Sequence, residues 1–303
     1  MRIHINDPLD KQATEKLANV PGVVLTSQHY EKDELIKIMP EIEVLIVRSA
    51  TKVTADIIEA GTNLKIIGRA GTGLDNIDIK TAEAKGIKVL NTPGANSISV
   101  AELTIGLMIA CSRHIARGTI DLKSGKWTKK ELEGHELFGR TVGIIGFGNI
   151  GKEVAKRLLA FDMKVLAYDP YVKETDMNVK IVDLETIYKE SDYITIHVPL
   201  TPETKNLINK DTIAKMKDGV IIINAARGGI IDEAALYEAL TSGKIYAAGL
   251  DVFEVEPPTD ELRQKLLALP NVVATPHVGA STFEAQERVG MLLVDRLIKE
   301  ISK

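Results

Sequence analysis

Three residues in the second half of the chain could do acid–base work on a carboxylic acid. Arg227 follows the apolar run GVIIINAA, Glu256 follows YAAGLDVF and precedes Pro257 and Pro258, and His277 follows NVVATP and precedes Gly279 and Ala280. A histidine titrates near neutral pH and can move a proton. A carboxylate beside it would hold its ring and raise its pKa, and an arginine can grip a carboxylate through two parallel hydrogen bonds. A second constellation has the chemistry of nucleotide binding. Gly146, Gly148 and Gly151 stand at GxGxxG spacing directly after the run Val142 to Ile145, and Asp169 closes the segment VLAYD 18 residues beyond Gly151. The first glycine permits a tight turn, the second lets backbone approach a pyrophosphate, and the third allows close packing of helix on strand. The free N–H groups at the helix start attract the anion. Asp169 can accept hydrogen bonds from ribose hydroxyls and would repel a 2′-phosphate, which favours NAD over NADP. A single strand-end Arg, Glu or His more often makes a surface ion pair, and a bare glycine triplet more often marks only a turn. Their joint placement carries the reading.

Such residues need strands to carry them. RIHIN, VVLT, EVLIVRS, LKIIGRA and IKVLNTP are short apolar runs separated by helical patterns such as KDELIKIMPE and TADIIEAG. Runs without strict alternation suit strands buried on both faces, hence a parallel sheet covered by helices. The segment SISVAELTIGLMIACSRHIARGTIDLKSGKW is apolar at helical spacing and predicts one long helix leaving the first domain, with Ser97 or Ser99 as N-cap. From Thr141 the alternation restarts and predicts a second parallel sheet through DYITIHVPL, GVIIINAARG, YAAGLDVF and NVVATPHVG. The closing segment STFEAQERVGMLLVDRLIKEISK is an amphipathic helix that either finishes the second domain or returns to the first. Ligands of open parallel sheets gather beyond the carboxyl ends of strands, where all the singled-out residues fall.

At 303 residues the length suggests about two domains, and the composition, 45% hydrophobic and 26% charged, is that of a globular chain. A net charge of −4 provides no general basic surface for nucleic acid or anionic membrane. The single cysteine, Cys111, lies in an apolar run and reads as a buried thiol in a reducing, cytoplasmic setting. His4, His29, His114, His135 and His197 lack paired ligand spacing, so no metal is expected. Lys126, Trp127, Lys129 and Lys130 form a small basic patch suited to a solvated loop, a substrate or a subunit contact. The segment from Ser97 to about Gly125 is more apolar than a helix burying one face requires, which predicts a homodimer through it.

The motifs NAARGGIID, LDVFEVEPP and ATPHVGAST, with GFGNIG and YDP, resemble the signatures of the D-isomer-specific 2-hydroxyacid dehydrogenases. VRSATKVTADII, GRAGTGLDNID and NTPGANSISVAEL are similar to the phosphoglycerate dehydrogenase branch of that family. The match runs from about residue 40 to 290. It implies an α/β fold of two parallel-sheet domains, a Rossmann NAD-binding domain (98–282) inserted into a flavodoxin-like substrate domain (1–97 and 283–303). It also implies that Arg227, Glu256 and His277 are the catalytic trio. His277 exchanges the proton of the substrate hydroxyl as hydride moves between C2 and the nicotinamide, Glu256 stabilises the imidazolium, and Arg227 binds the carboxylate and polarises the carbonyl. The resemblance places Asp251 near the nicotinamide carboxamide and Asn149 and Ile150 at the pyrophosphate. It extends the cofactor contacts to Thr72, Val198, Pro199, Ala225, Ala226, Gly279 and Ala280.

Arg48, Ser49, Arg69, Gly71 and Asn96 follow strands of the first domain and are the expected substrate contacts, since strand ends can face a binding cleft. Two arginines suit a phosphorylated acid, so the expected reaction is oxidation of D-3-phosphoglycerate to 3-phosphohydroxypyruvate, the first step of serine biosynthesis. The same trio would serve a glyoxylate or hydroxypyruvate reductase, against which Arg69 argues, because an unphosphorylated substrate needs no second cation. An NAD-sensing binding protein is the alternative of another class, and the intact trio speaks against it. Because the sequence stops at Lys303, a short form without a C-terminal serine-binding domain is expected.

Overall fold

The computed structural model describes residues 1–302. The chain forms two compact units, each with its own parallel sheet. Met1–Asn96 joins the residues from Ala280 onward in the first, and Ser97–Gly279 forms the second, so the second unit is inserted into the first along the chain.

In the first unit the strands are β1 (Arg2–Ile5), β2 (Val24–Ser27), β3 (Val44–Val47), β4 (Ile66–Arg69) and β5 (Lys88–Leu90). The helices are α1 (Lys11–Ala18), α2 (Lys32–Ile38), α3 (Ala55–Ala60) and α4 (Ile79–Ala84). The sheet order β2-β1-β3-β4-β5 is that of flavodoxin-like folds. β3 is buried at every residue, VLIV, as a central strand covered on both faces must be. Asp10 and Asp78 start α1 and α4 by accepting backbone N–H groups of the first turn, which would otherwise lack partners.

The second unit begins with α5 (Ser97–Ser112) and α6 (Ile115–Lys123). Its strands are β6 (Thr141–Ile145), β7 (Lys164–Tyr168), β8 (Lys180–Ile181), β9 (Tyr193–Ile196), β10 (Val220–Asn224), β11 (Ile245–Leu250) and β12 (Val272–Ala274). Between them run α7 (Asn149–Leu159), α8 (Leu184–Glu190), α9 (Lys210–Lys215), α10 (Glu233–Ser242) and α11 (Glu261–Leu267). The order β12-β11-β10-β9-β6-β7-β8 is the dinucleotide-binding arrangement extended by one strand, and it reverses direction between β6 and β9. Two apolar layers sandwich this sheet. One gathers α8, α9, α10 and α11 around Ile194, Ile222 and Leu236, and the other packs α5 and α7 over Ile144, Tyr193 and Ile223.

The single long helix expected from Ser97 is in fact two. The chain breaks after Ser112, where His114 adopts a left-handed backbone (φ 51°), and α5 and α6 meet at a bend of 65°. Apolar spacing could not reveal this, because both pieces keep helical periodicity. The two differ in environment: α5 buries ten of its residues inside the second unit, whereas α6 buries none. Neither expected serine caps α5 through its side chain. Ser97 Oγ is buried without a hydrogen-bond partner, and Ser99 Oγ donates to Gly279 O at 2.7 Å. Cys111 is buried, and burial pushes its thiol up to about 12, so it is no nucleophile near neutral pH. No single helix among the described residues is long and apolar enough to cross a membrane.

The last helix, α12 (Phe283–Ile301), belongs to the first unit. Its buried stripe Val289, Leu293, Val294 and Leu297 completes the apolar layer of Ile3, Ile5, Val44 and Ile46. Leu293 fills the space over Gly68, where a side chain on β4 would lie 3.3 Å from it. Truncating Leu293 to Ala is expected to destabilise the protein by about 2 to 5 kcal/mol, because the surrounding sheet cannot collapse into the gap. Urea unfolding monitored by circular dichroism checks this; an unchanged midpoint would show that the helix does not seal this sheet.

Candidate active site

β6 runs into the glycine turn and α7 starts at Asn149. Gly146 has φ +97°, and a side chain there would meet the carbonyl of His197 at 2.5 Å, so both backbone and space demand glycine. At Gly151 a Cβ would sit 2.1 Å from the Gly146 carbonyl, which is the close strand-to-helix approach the motif requires. Above Gly148 there is open space instead. It precedes the first turn of α7, where Asn149 and Ile150 present N–H groups with no partner inside the helix, and where a pyrophosphate would be held. Asp169 ends the next strand. Its Oδ2 accepts the N–H of Phe147 at 2.9 Å and its Oδ1 that of Tyr171 at 2.9 Å. The acid therefore also pins the glycine turn, and a carboxylate keeps further lone pairs for ribose hydroxyls. Val198 and Pro199 follow β9, the neighbour of β6 at the reversal of strand order. Beside them His197 is half-buried, bonded through Nε2 to Thr195 Oγ1 at 2.9 Å, and desolvation drives its pKa down to about 3, so it stays neutral.

The acid–base trio assembles from three adjacent strands of the same unit. β10, β11 and β12 are neighbours in register, Asn224 with Leu250 and Leu250 with Ala274, so the loops after them emerge side by side. Asn224 shapes the first loop, accepting Ala226 N–H at 3.1 Å and donating to Arg227 O at 2.9 Å. Ala225 and Ala226 are buried in that turn, and Arg227 donates from Nη1 to Ala226 O. Gly228 is pressed against the second loop; a methyl group on it would lie 1.9 Å from the Phe253 carbonyl. In the second loop Glu256 Oε1 accepts Phe253 N–H at 3.0 Å. The third loop hangs on Asp251, only 1% exposed. Its carboxylate accepts Thr275 Oγ1 at 2.6 Å, Val278 N–H at 2.8 Å and Gly279 N–H at 2.8 Å, and its carbonyl accepts His277 N–H at 2.8 Å. His277 takes a left-handed backbone (φ 53°) within this anchor.

The result is a direct pair: His277 Nδ1 lies 2.8 Å from Glu256 Oε2. An ionised carboxylate only accepts, so Nδ1 carries the hydrogen and Nε2 is the nitrogen left to exchange a proton with a ligand. The hydrogen bond to Glu256 raises the His277 pKa above its ordinary value against the opposing effect of burial, with Asp251 adding to the rise and Arg227 opposing it. Burial pushes Glu256 up, but the bonds from His277 and Phe253, with the charge of Arg227, hold it below the usual carboxylate range. Arg227 is thus close enough to bear on both partners electrostatically.

In the first unit, the loops after β3 and β4 emerge from adjacent strands, Val47 pairing with Arg69. Asp7 holds the Arg48–Thr51 loop, its Oδ2 accepting the N–H groups of Arg48 at 2.6 Å and Thr51 at 3.1 Å, while Asn76 donates to the carbonyls of both residues. Ser49 on this loop is exposed. The Arg69 side chain lies across Gly71, where any Cβ would collide with the guanidinium at 1.3 Å. Thr72 donates to Asn96 Oδ1 at 2.8 Å, joining those two predicted contacts. Ala280 accepts a hydrogen bond from Gln286 at 2.5 Å within the same unit. Asp7, Asn76 and Asn224 were not read from the sequence, and Ser99 was read only as a helix cap. Asp7 and Asn224 sit at strand ends, where the same inspection could have found them; Asn76 and the bond of Ser99 to Gly279 act over long range and leave no local signal.

Residues 105–279 match the family model for the D-isomer specific 2-hydroxyacid dehydrogenase, NAD binding domain. The chain is 69% identical to a hydroxypyruvate reductase of Thermotoga maritima over 300 residues, covering 99% of this chain and 98% of the relative. The chain belongs to the D-isomer-specific 2-hydroxyacid dehydrogenase family. It is also 51% identical to a D-3-phosphoglycerate dehydrogenase of Methanocaldococcus jannaschii, over 99% of this chain but 57% of that longer relative. An NAD-dependent formate dehydrogenase of Staphylococcus aureus, solved with NAD, superposes with a TM-score of 0.88 at 31% identity, covering 99% of this chain and 96% of that one. The protein is therefore an NAD-dependent oxidoreductase of this family, and the open space over Gly148, the start of α7 and Asp169 fit that cofactor.

When bound, NAD supplies the acceptor or donor of hydride; the protein's part is to orient the acid and move the proton. The raised pKa sets the sign of the pH dependence. His277 keeps its proton to higher pH than an ordinary histidine, so a reduction that draws on that proton is expected to fall as pH rises through the raised value. Glu256→Gln removes the stabilising charge and is expected to shift that falling limb to lower pH, while His277→Ala lowers kcat by about 10² to 10⁴. Initial rates of NADH consumption across pH check both, and an unmoved limb in Glu256→Gln would mean the pair does not set the ionisation.

Proposed function

We propose that the protein reduces hydroxypyruvate, or a 2-oxo acid of that size, to the D-2-hydroxy acid at the expense of NADH. The observation that carries the direction is the 2.8 Å contact of Glu256 with His277, which favours the protonated imidazole that a reduction needs. Similarity to the Thermotoga hydroxypyruvate reductase along nearly the whole of both chains supports the substrate. In this reading Arg227 binds the substrate carboxylate and polarises the carbonyl. Hydride adds to the carbonyl carbon, and the Nε2 proton of His277 passes to the oxygen as Glu256 retains the Nδ1 hydrogen. Asp251 holds the loop of His277, and its carboxylate, already taken by three donors, serves the nicotinamide end mainly through that loop.

A second reading, oxidation of D-3-phosphoglycerate, is favoured by Arg48 and Arg69 on adjacent strand ends, a spacing suited to a phosphorylated acid. The two readings separate in one assay. Specificity constants for hydroxypyruvate, glyoxylate and 3-phosphohydroxypyruvate are measured with NADH; the proposal expects hydroxypyruvate to exceed the phosphorylated acid about tenfold or more, a difference of about 1.4 kcal/mol in transition-state binding. The reverse order supports the dehydrogenase, and turnover of none contradicts both.

We further propose a homodimer, but through α6 rather than the whole segment from Ser97. The apolarity of α5 is spent inside its own unit, while Ile115, Ile120 and Leu122 on α6, with Trp127 and Phe138 beyond it, are exposed. Trp127, in the expected basic patch, is 80% exposed. Exposed apolar side chains on and beside one helix suit a partner surface. Light scattering at micromolar protein should give twice the chain mass, and Ile120→Asp with Leu122→Asp should give the monomer; a monomeric parent contradicts the assignment.

A further inference from the structure

Glu256 sits on the loop between β11 and α11, and a loop holds a carboxylate in place only if something fixes its backbone. That something is a buried guanidinium. Arg263, in the first turn of α11, is 8% exposed, and Glu233, at the start of α10, is 6% exposed. Arg263 Nη1 donates to Asp260 at 2.9 Å and Nη2 to Glu254 at 3.1 Å, and its Nε lies 2.7 Å from Glu233 Oε2, a charge contact outside hydrogen-bond alignment. The other oxygen of Glu233 accepts the backbone N–H of Glu254 at 2.8 Å. Both ends of the loop that contains Glu256 are therefore tied to one cation: Glu254 through its side chain and, by way of Glu233, its backbone, and Asp260 directly. The N–H of Phe253, next to the first tie, is the donor that orients Glu256 Oε1.

A guanidinium presents several donors in a fixed plane and can serve three carboxylates from different directions, which a lysine ammonium on a flexible stem cannot do with the same geometry. Burying the Arg263 and Glu233 charges gains little stability by itself, since a buried ion pair is often no better than well-packed apolar side chains. Its location gives it a use. We propose that Arg263, with Glu233, is a positioning residue for the proton-transfer pair, holding Glu256 at hydrogen-bond distance from His277. This rests on the reading of Glu256 and His277 given above.

The test uses Arg263→Met, which keeps length and removes the cation, with Arg263→Lys as the conservative variant, each also in the Glu256→Gln background. The expected result for Arg263→Met is a fall in kcat of about 10- to 100-fold, the scale of an ångström-level misplacement. It comes with a shift of the falling limb of the reduction pH profile to lower pH and an NADH dissociation constant, read by fluorescence, equal to the parent's. Arg263→Lys should lie between the two. In the Glu256→Gln background Arg263→Met should add nothing, because its effect runs through Glu256. A parental pH limb in Arg263→Met, or a full additional loss on top of Glu256→Gln, overturns the proposal. If Arg263→Met does not fold, the same readings on Arg263→Lys decide. Should Glu256→Gln itself leave the limb unmoved, the reading of the pair fails and takes this proposal with it; should Glu256→Gln move the limb and the Arg263 variants not, only the role of Arg263 falls.

Discussion

A hydrogen bond of 2.8 Å between His277 and Glu256 decides which imidazole nitrogen is free and how long the ring keeps its proton. Much of the second unit can be understood as support for it. The parallel sheet sets β10, β11 and β12 side by side, so three loops from distant parts of the chain end within reach of one another. Asn224 shapes the loop of Arg227, Arg263 and Glu233 tie the loop of Glu256, and Asp251 anchors the loop of His277. Each support is a buried or partly buried polar group that ties a loop by hydrogen bonds, with Arg263 Nε and Glu233 Oε2 held together by charge alone.

The nucleotide half of the site depends on a different constraint, steric closeness. Between β6 and α7 the backbone folds so tightly that side chains at residues 146 and 151 would strike carbonyl oxygens, while the space over Gly148 stays open. Asp169 links this turn to the next strand through the Phe147 N–H, so the group read as a ribose acceptor also fixes the turn that receives the phosphates. Family membership and the fit of these residues agree on NAD.

Much of this was legible in the sequence because strands of parallel sheets are apolar along their whole length and ligand groups follow them directly. The strand-end positions of Arg227, Glu256 and His277 follow from that rule, the glycine turn stands out by its spacing, and both sheets were visible as repeated β and α runs. What stayed hidden depends on contacts far apart in the chain or on single backbone angles. The break between α5 and α6 is set by one left-handed residue, His114, inside an unbroken apolar rhythm. The placement of α12 with the first unit follows from Leu293 and its neighbours meeting Ile3 and Val44, a pairing that periodicity leaves open. Arg263 carries no motif in the sequence, and only the fold brings Glu233 and Glu254 to it. The substrate is least legible, since Arg48 and Arg69 suggest a phosphorylated acid while the Thermotoga relative is a hydroxypyruvate reductase.

The most direct test of the central pair is nitrogen-15 NMR of the His277 ring, assigned by comparison with His277→Ala, across a pH titration of the otherwise unaltered protein. The account predicts hydrogen on Nδ1 in the neutral ring and a midpoint above the ordinary histidine value. Hydrogen on Nε2 in the neutral form, or a midpoint at or below that value, would contradict it.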